Sequence, residues 1–434
     1  MVHQTMTSSS TRASRASSKI SPMYPIHAQP CRAKPCGRGG RPRAVADPNR
    51  SQSLMRTRLL RLAAAAAIVG MLAACSTRPP APSAPPGAQP GAAAPAAPTG
   101  PLTGQPAVSK SRWVPASWAE LPGFETDALH EAWNAWLRSC ERPAPAFAPL
   151  CGDIRRLSIA SDSEQRAWMV ERLQPYRIEA LDGSADGLLT GYFEPYLEAS
   201  RQPGNGFDVP LYRAPADLAT RRPWYTRQQI DSLPEARAQL AGRAIAWVRD
   251  PVAAMVLHIQ GSGRLLVREA DGSARMVRLA YAGTNDHGYK SVGRWLLDQG
   301  LVRDATWPGI SAWVQANPQR VQEMLWANPR YVFFREEPLD ALDASFGPRG
   351  AQGVPLTPGR SIAVDRASIP YGTPVWLASS GATVQLSRLV LAQDTGSAIL
   401  GAVRADYFTG WGEQAGDIAG RLKQGLRLWA LWPK

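Results

Sequence analysis

Apolar and polar positions change their spacing along this chain of 434 residues, and the changes divide it into regions. In "TDALHEAWNAWLRSC" the residues Leu129, Ala132, Trp133, Trp136 and Leu137 fall on one stripe at helical spacing. In "SDSEQRAWMVERL", Ser161 stands three residues before Glu164, the reciprocal pair that caps a helix start. Both predict packing helices, with Trp133, Trp136 and Trp168 in the core. After "GLLTGYFEPYLEASR" the pattern shortens to β-rich segments punctuated by Gly and Asp. "MVLHIQGSGRLLVREADGSARMVRLAYAG" predicts strand, Gly turn, strand, Asp-Gly hairpin turn, strand. "SVGRWLLDQG" predicts a short helix closed by Gly300, and a further helix starts at Pro318 with Asn317 as its cap and stops before Asn328-Pro329. From Tyr331 onward β segments return as "YVFFRE", "SIAVD", "TPVWLA", "TVQLSRLVLAQDTG" and "RLWALWP". The layout predicts a mainly β fold with helices, in which a domain made of residues 109–200 and 337–434 is interrupted by a smaller, mostly β insertion at 201–336.

The first hundred residues read differently. Residues 1–54 carry Ser, Arg and Gly runs with no apolar period. "MRTRLLRLAAAAAIVGMLAACSTRPP" begins at Met55 with three arginines, continues as an uncharged apolar run from Leu62 to Ala74 and ends in small residues before Cys75. Those are the three regions of a secretory signal peptide. The run falls short of the roughly 20 residues that a membrane helix needs. Met55 therefore reads as the start, residues 1–54 as an untranslated or disordered leader and 55–74 as the signal peptide. Residues 75–108 are rich in Pro, Ala and Gly, a composition that cannot bury a core and reads as a spacer.

A formal charge of +14 first suggests a nucleic-acid partner. Residues 1–61, however, hold twelve Lys or Arg against Asp47 alone, which leaves 37 basic and 34 acidic residues for the rest of the chain. Nucleic acid is therefore not expected. The histidines His3, His27, His130, His258 and His287 show no paired-ligand spacing, so neither a metal nor a cofactor is expected. In an oxidising compartment Cys140 and Cys151 can close a short disulfide loop or remain two free thiols.

The chemistry concentrates near the carboxyl end. "LVLAQDTGSA" has the form of an aspartic-protease loop, but that class needs two such loops sharing a proton, and the chain has one. Only 38 residues follow Gly396, too few for the rest of a single-lobed protease. A wider pattern is more informative. "SIAVDRASIPYGTPVWL" supplies Asp365, "AQDTGSAILG" supplies Asp394 and "VRADYFTGWG" supplies Asp406, each at the end of an apolar run beside Gly or Pro. Any one of them is readily an Asx turn. Three together, at strand ends in one β domain, favour a common groove.

These stretches, with "GYFEPYLEASR" (191–201), "LHIQGSGRLLV" (257–267), "YAGTNDHGYKSVGRWL" (281–296) and "NPRYVFFRE" (328–336), resemble the membrane-bound lytic murein transglycosylase A family over roughly residues 110–434. The C-terminal part is similar to its three-aspartate domain, and "LAAC" ending at Cys75 resembles a lipoprotein box. The resemblance implies a double-psi β-barrel joined to an inserted β domain, with a groove that takes a peptidoglycan glycan strand. It implies lipidation at Cys75 and, with Ser76 following, the periplasmic face of the outer membrane. The implied reaction cleaves the β-1,4 bond between N-acetylmuramic acid and N-acetylglucosamine. The muramoyl C6 hydroxyl is the internal nucleophile and the product is 1,6-anhydromuramic acid.

When the nucleophile belongs to the substrate, one carboxyl can act first as acid and then as base, where ordinary glycosidases need two. The resemblance gives that role to Asp406, with Asp394 as the alternative acid and Asp365 as a groove residue in a supporting position. Val403, Tyr407, Phe408, Trp411 and the charge of Asp394 would raise the pKa of Asp406. Tyr192, Gln260, Gly261, Ser262, Gly263, Tyr281 and Lys290 are further candidates for substrate contact, the tyrosines by stacking on sugar faces. The family motif often has Gly and Lys where this chain has Ser397 and Leu400, so no role for a lysine is carried over. The competing reading is a non-catalytic peptidoglycan-binding lipoprotein, since double-psi barrels also occur in wall-binding modules.

Overall fold

The computed structural model describes residues 106–434, so the leader, the signal peptide, Cys75 and nearly all of the spacer lie outside the described residues. The chain lays down β1 (Arg112–Pro115), β2 (Leu173–Glu179) and β3 (Gly187–Glu194), then six strands of a second sheet. These are β4 (Tyr196–Ser200), β5 (Val209–Tyr212), β6 (Ala244–Val248), β7 (Gly263–Arg268), β8 (Ala274–Thr284) and β9 (Val332–Pro338). It returns with β10 (Ser361–Val364), β11 (Pro374–Ser380), β12 (Gln385–Asp394), β13 (Arg404–Trp411) and β14 (Lys423–Pro433).

The first sheet runs β1-β2-β14-β11-β12-β10-β13-β3, and a further pairing of β3 with β14 closes six of these strands into a ring. Closure depends on the length of β14. Its residues Lys423–Leu426 pair with β3, whereas Arg427–Ala430 pair with β11. The fold is thus a double-psi-type barrel carrying an inserted domain. Its core holds Ile362, Val364, Ala405, Tyr407 and Leu189 from the ring. Helices α1 (Leu129–Ser139), α2 (Cys151–Arg156) and α3 (Asp162–Arg172) pack into the same core. Trp133, Trp136 and Trp168 are buried and in mutual ring contact at 5.1–5.8 Å, in line with their helical stripe. Ser161 and Glu164 form the expected reciprocal cap on α3. Cys140 and Cys151 are joined as a disulfide beside this packing.

The inserted sheet has the order β5-β6-β4-β7-β8-β9. Sheet membership changes at Tyr196 rather than at residue 201, and changes back after Pro338 rather than 336. The stretch from Gly187 to Ser200 is nearly continuous β structure with only Pro195 to mark the crossing, so the sequence pattern has no turn there. The insertion is also less purely β than its pattern predicts. It contains α4 (Arg227–Ser232), α5 (Pro234–Leu240), α6 (Pro251–Gln260), α7 (Val292–Asp298), α8 (Trp307–Ala316) and α9 (Val321–Trp326).

Helix α6 corrects the reading of "MVLHIQGSG" as strand and turn. Asp250 accepts a hydrogen bond from Val252 N at 2.8 Å and Pro251 occupies the first turn, a strong helix start. Gly261, at φ 82°, ends the helix by donating its N–H to Leu257 O, a left-handed cap that favours glycine. The segment is apolar on every side because the helix is buried between the inserted sheet and α7–α9, not because it is a strand.

A buried ion cluster ties the insertion to the barrel. Glu194, the last residue of β3, is 0 % exposed and accepts from Arg264 Nε at 2.7 Å and Arg278 Nε at 2.6 Å. The two guanidinium groups also donate to Ala344 O and Phe346 O. Both guanidinium groups thus have carbonyl acceptors besides the shared carboxylate, the kind of pairing under which buried charge is tolerated.

Candidate active site

Residues of β10, β13 and β3 that alternate with the barrel-core positions face outward. Ala363 pairs with Asp394 on one side and Asp406 on the other, and Asp406 pairs with Thr190. Asp394, Ala363, Asp406 and Thr190 thus form one row across β12, β10, β13 and β3. One-for-one pairing after Ile362–Ala392 would put Gln393 beside Ala363, but a bulge in β12 brings Asp394 there instead. Gln393 turns inward and donates to Ala135 O and Ser139 Oγ on α1.

Asp394 is held by donors on both oxygens. Tyr192 Oη donates to Oδ2 at 2.9 Å and Ala351 N donates to Oδ1 at 2.9 Å, and the Thr395 N–H adds a third bond. The loop carrying Ala351 comes this close because residue 350 is glycine. A Cβ there would lie 2.5 Å from Gln393 O and 3.2 Å from the Asp394 Cβ. Burial pushes the Asp394 pKa up to about 6; the three donors oppose the rise and the neighbouring Asp406 adds to it.

Asp406 has a different surrounding. Thr190 Oγ1 donates to its Oδ1 at 2.5 Å, and no hydrogen bond among the described residues uses Oδ2. Burial raises its pKa, against the Thr190 hydroxyl and the Arg404 guanidinium, which lower it. Tyr192 lies within the field of both carboxylates and is itself buried, so its phenol is held well above its ordinary pKa and remains a donor.

The remaining candidates separate. Tyr192 belongs to the row, though its hydroxyl is engaged with Asp394 and its ring lies 5.3 Å from that of Phe408. Asp365 belongs to another cluster, where it accepts from Lys110 Nζ, Ala367 N and Gly401 N. Burial alone would raise its pKa, but the backbone N–H groups of Gly401 and Ala367 and then Lys110 hold it below the usual carboxylate range. Gln260 Oε1 accepts from Phe193 N at 3.0 Å and so links the end of α6 to β3. Gly261 serves as the helix cap, Ser262 is buried, and Gly263 lies where a Cβ would meet Leu257 at 2.3 Å. Tyr281, 48 % exposed, and Lys290 stand at the surface of the insertion. Of the groups expected to raise the Asp406 pKa, Tyr407 faces the barrel core and donates to Gly359 O. Thr190 and Arg404 escaped the sequence reading. "LLTGYF" and "VRADYF" show a Thr and an Arg, but only the β3–β13 register reveals that they meet.

Two family profiles match the chain, the MltA specific insert domain over residues 188–335 and the 3D domain over 360–432. Membrane-bound lytic murein transglycosylase A of Vibrio cholerae is 30 % identical over 272 residues, which cover 60 % of this chain and 69 % of that protein. The chain belongs to the membrane-bound lytic murein transglycosylase A family. Lytic transglycosylase LtgG of Burkholderia pseudomallei is 43 % identical with a TM-score of 0.54, the match covering 76 % of this chain and 97 % of that one. The membrane-bound lytic murein transglycosylase of Agrobacterium tumefaciens gives 29 % identity and a TM-score of 0.63, with 74 % and 97 % covered. Within the lytic transglycosylase A family frame, the insert profile covers β3 from Leu188 onward and β4–β9 apart from the end of β9, and the 3D profile covers β10–β13 and nearly all of β14. The row of Asp394, Ala363 and Asp406 lies wholly inside the second.

Proposed function

We propose that this protein cleaves the β-1,4 bond between N-acetylmuramic acid and N-acetylglucosamine in peptidoglycan, with Asp406 as the single acid and base. Protonated Asp406 donates from Oδ2 to the glycosidic oxygen as the bond from muramoyl C1 breaks. The substrate's C6 hydroxyl then attacks C1 and gives its proton to the Asp406 carboxylate, which restores the acid and leaves a 1,6-anhydro ring. No water is consumed. Asp394 remains an anion near neutrality and stabilises positive charge developing on the sugar.

The observation that carries this assignment is the asymmetry of hydrogen bonding between the two carboxyls. Asp394 accepts on both oxygens from three donors, which oppose the rise that burial gives its pKa and occupy the positions a proton would take. Asp406 accepts on Oδ1 alone, so Oδ2 is available to carry one. The domain division follows the same reading, with the barrel supplying the acid and the insertion, with Tyr281 and Lys290, flanking the glycan. Lipidation at Cys75 would tether the protein to the periplasmic face of the outer membrane.

Incubating the protein with purified sacculi and analysing the products by mass spectrometry tests the proposal. Anhydro-muropeptides are expected from the wild type and not from Asp406→Asn. Binding without cleavage would instead mark a wall-binding module.

A further inference from the structure

Arg404 lies two residues before Asp406 on β13, on the same outward face, and pairs with Leu188 of β3. Its Nη2 donates to Thr190 Oγ1 at 2.8 Å, and its Nη1 donates to Leu188 O at 3.3 Å and to Ala405 O at 2.5 Å. These bonds pin the guanidinium between two strands. Among the described residues it sits in no carboxylate ion pair, and the acid whose field reaches it is Asp406.

An arginine side chain only donates hydrogen bonds, whereas a threonine hydroxyl has one proton to give and lone pairs that accept. Since Arg404 must donate to Thr190, the Thr190 hydroxyl accepts there. Its one proton is then directed at Asp406 Oδ1, 2.5 Å away. An oxygen that accepts a hydrogen bond at that distance is not the one that carries the acid proton. We propose that Arg404 is a positioning residue for the acid/base, setting the direction of the Thr190 hydroxyl and thereby confining the transferable proton to Asp406 Oδ2. The inference rests on the reading of Asp406 as the acid/base. Without Arg404 the Thr190 hydroxyl can turn away, and the acid proton can settle on the oxygen that faces the strand.

The other groups around Asp406 and Thr190 do not substitute for this link; Lys423 of β14, in register with Thr190, is exposed and makes no hydrogen bond to either among the described residues. From β12 comes Asp394, already occupied by Tyr192 of β3; from β10 comes the neutral Ala363, with Asp365 beyond it paired to Lys110. The helix after β13, α10 (Gly412–Arg421), carries Glu413, Asp417 and Arg421 but meets β3 from the opposite face, through Gly191 and Phe193.

The test is the pH dependence of anhydro-muropeptide release by Arg404→Met, Thr190→Val and the double variant, with melting temperatures measured alongside. Each single change removes a group that favours the carboxylate, so the basic limb of kcat/KM moves up by about one pH unit. At the wild-type optimum kcat falls about tenfold or more, on the scale of a misplaced proton donor, with KM little changed. Because Arg404 acts through Thr190, adding Arg404→Met to Thr190→Val lowers kcat little further. Arg404→Lys, which retains a cationic donor, restores part of kcat and most of the limb position. A folded Arg404→Met with the wild-type profile, or full multiplication of the two losses in the double variant, overturns the inference. If Arg404→Met does not fold, Arg404→Lys set against Thr190→Val decides in the same way. Undiminished turnover by Asp406→Asn would refute the acid/base reading itself, a result that these profiles alone could not produce.

Discussion

Strand β3 touches two clusters of carboxylates, and they are built in opposite ways. At its end, Glu194 is enclosed by Arg264 and Arg278, two buried cations for one buried anion. Two residues earlier, Tyr192 reaches Asp394, which has neutral donors around it and Asp406, not an arginine, as its charged neighbour. Compensated charge at the junction holds two sheets together. The carboxyls on the barrel wall have no paired cation, only the field of Arg404 on Asp406, and keep raised pKa values, which is what proton transfer near neutral pH requires.

Breaking each cluster should therefore have contrasting results. Asp406→Asn is expected to abolish turnover, by about 10³-fold or more on the scale of lost general acid catalysis. Its melting temperature should stay the same or rise, because a carboxyl that is costly to ionise has been replaced by a neutral group. Glu194→Gln should do the reverse at the level of stability, by leaving two guanidinium groups buried without their anion. A loss of about 3–5 kcal/mol is expected by denaturant unfolding, and activity should fall only as the folded fraction falls.

The third test separates the two aspartates. With Asp394 as the fixed anion, kcat/KM should decline as pH drops below about 6, the value to which burial raises that group. Were Asp394 the acid, the same titration would appear as a decline above about 6. The linkage for stability has its own sign. The folded pKa of Asp394 lies above its unfolded value, so its contribution is full below the unfolded pKa, near 3.8, and lost as pH rises towards 6. Asp394→Asn should therefore flatten the stability profile between those limits. The smallest effect is expected from Tyr192→Phe. Losing one neutral donor should move the acidic limb upward by a few tenths of a pH unit while the protein remains folded.

Much of the barrel was legible because its strands are short apolar runs ending in Asp, Gly or Pro, and β10 to β12 and β14 fall where those runs do. The helices that escaped notice had local reasons. Helix α10 contains Gly412, Gly416 and Gly420 and reads as a loop, yet Gly416 is where a Cβ would come within 2.8 Å of the Phe193 ring. Helix α6 is buried on every side and so lacks the stripe that marks a surface helix. At the site, Asp394 and Asp406 could be picked out because their motifs are local. Thr190, Arg404 and the bulge at Gln393 could not, since their meaning lies in register between strands, and Thr190 and Asp406 are 216 residues apart. For Tyr192 the sequence suggests a ring for stacking on a sugar, and the hydrogen bond of its hydroxyl to Asp394 is visible only in the fold.

The ring closed by β14 also orders events during synthesis. A chain emerging from its amino end must keep β3 without either of its ring neighbours until β13 and β14 have been made. The inserted sheet, all of whose strands lie between, is complete long before that. The guest can therefore assemble first, so that Thr190 of β3 meets Asp406 only when β13 arrives, and the ring closes only with β14.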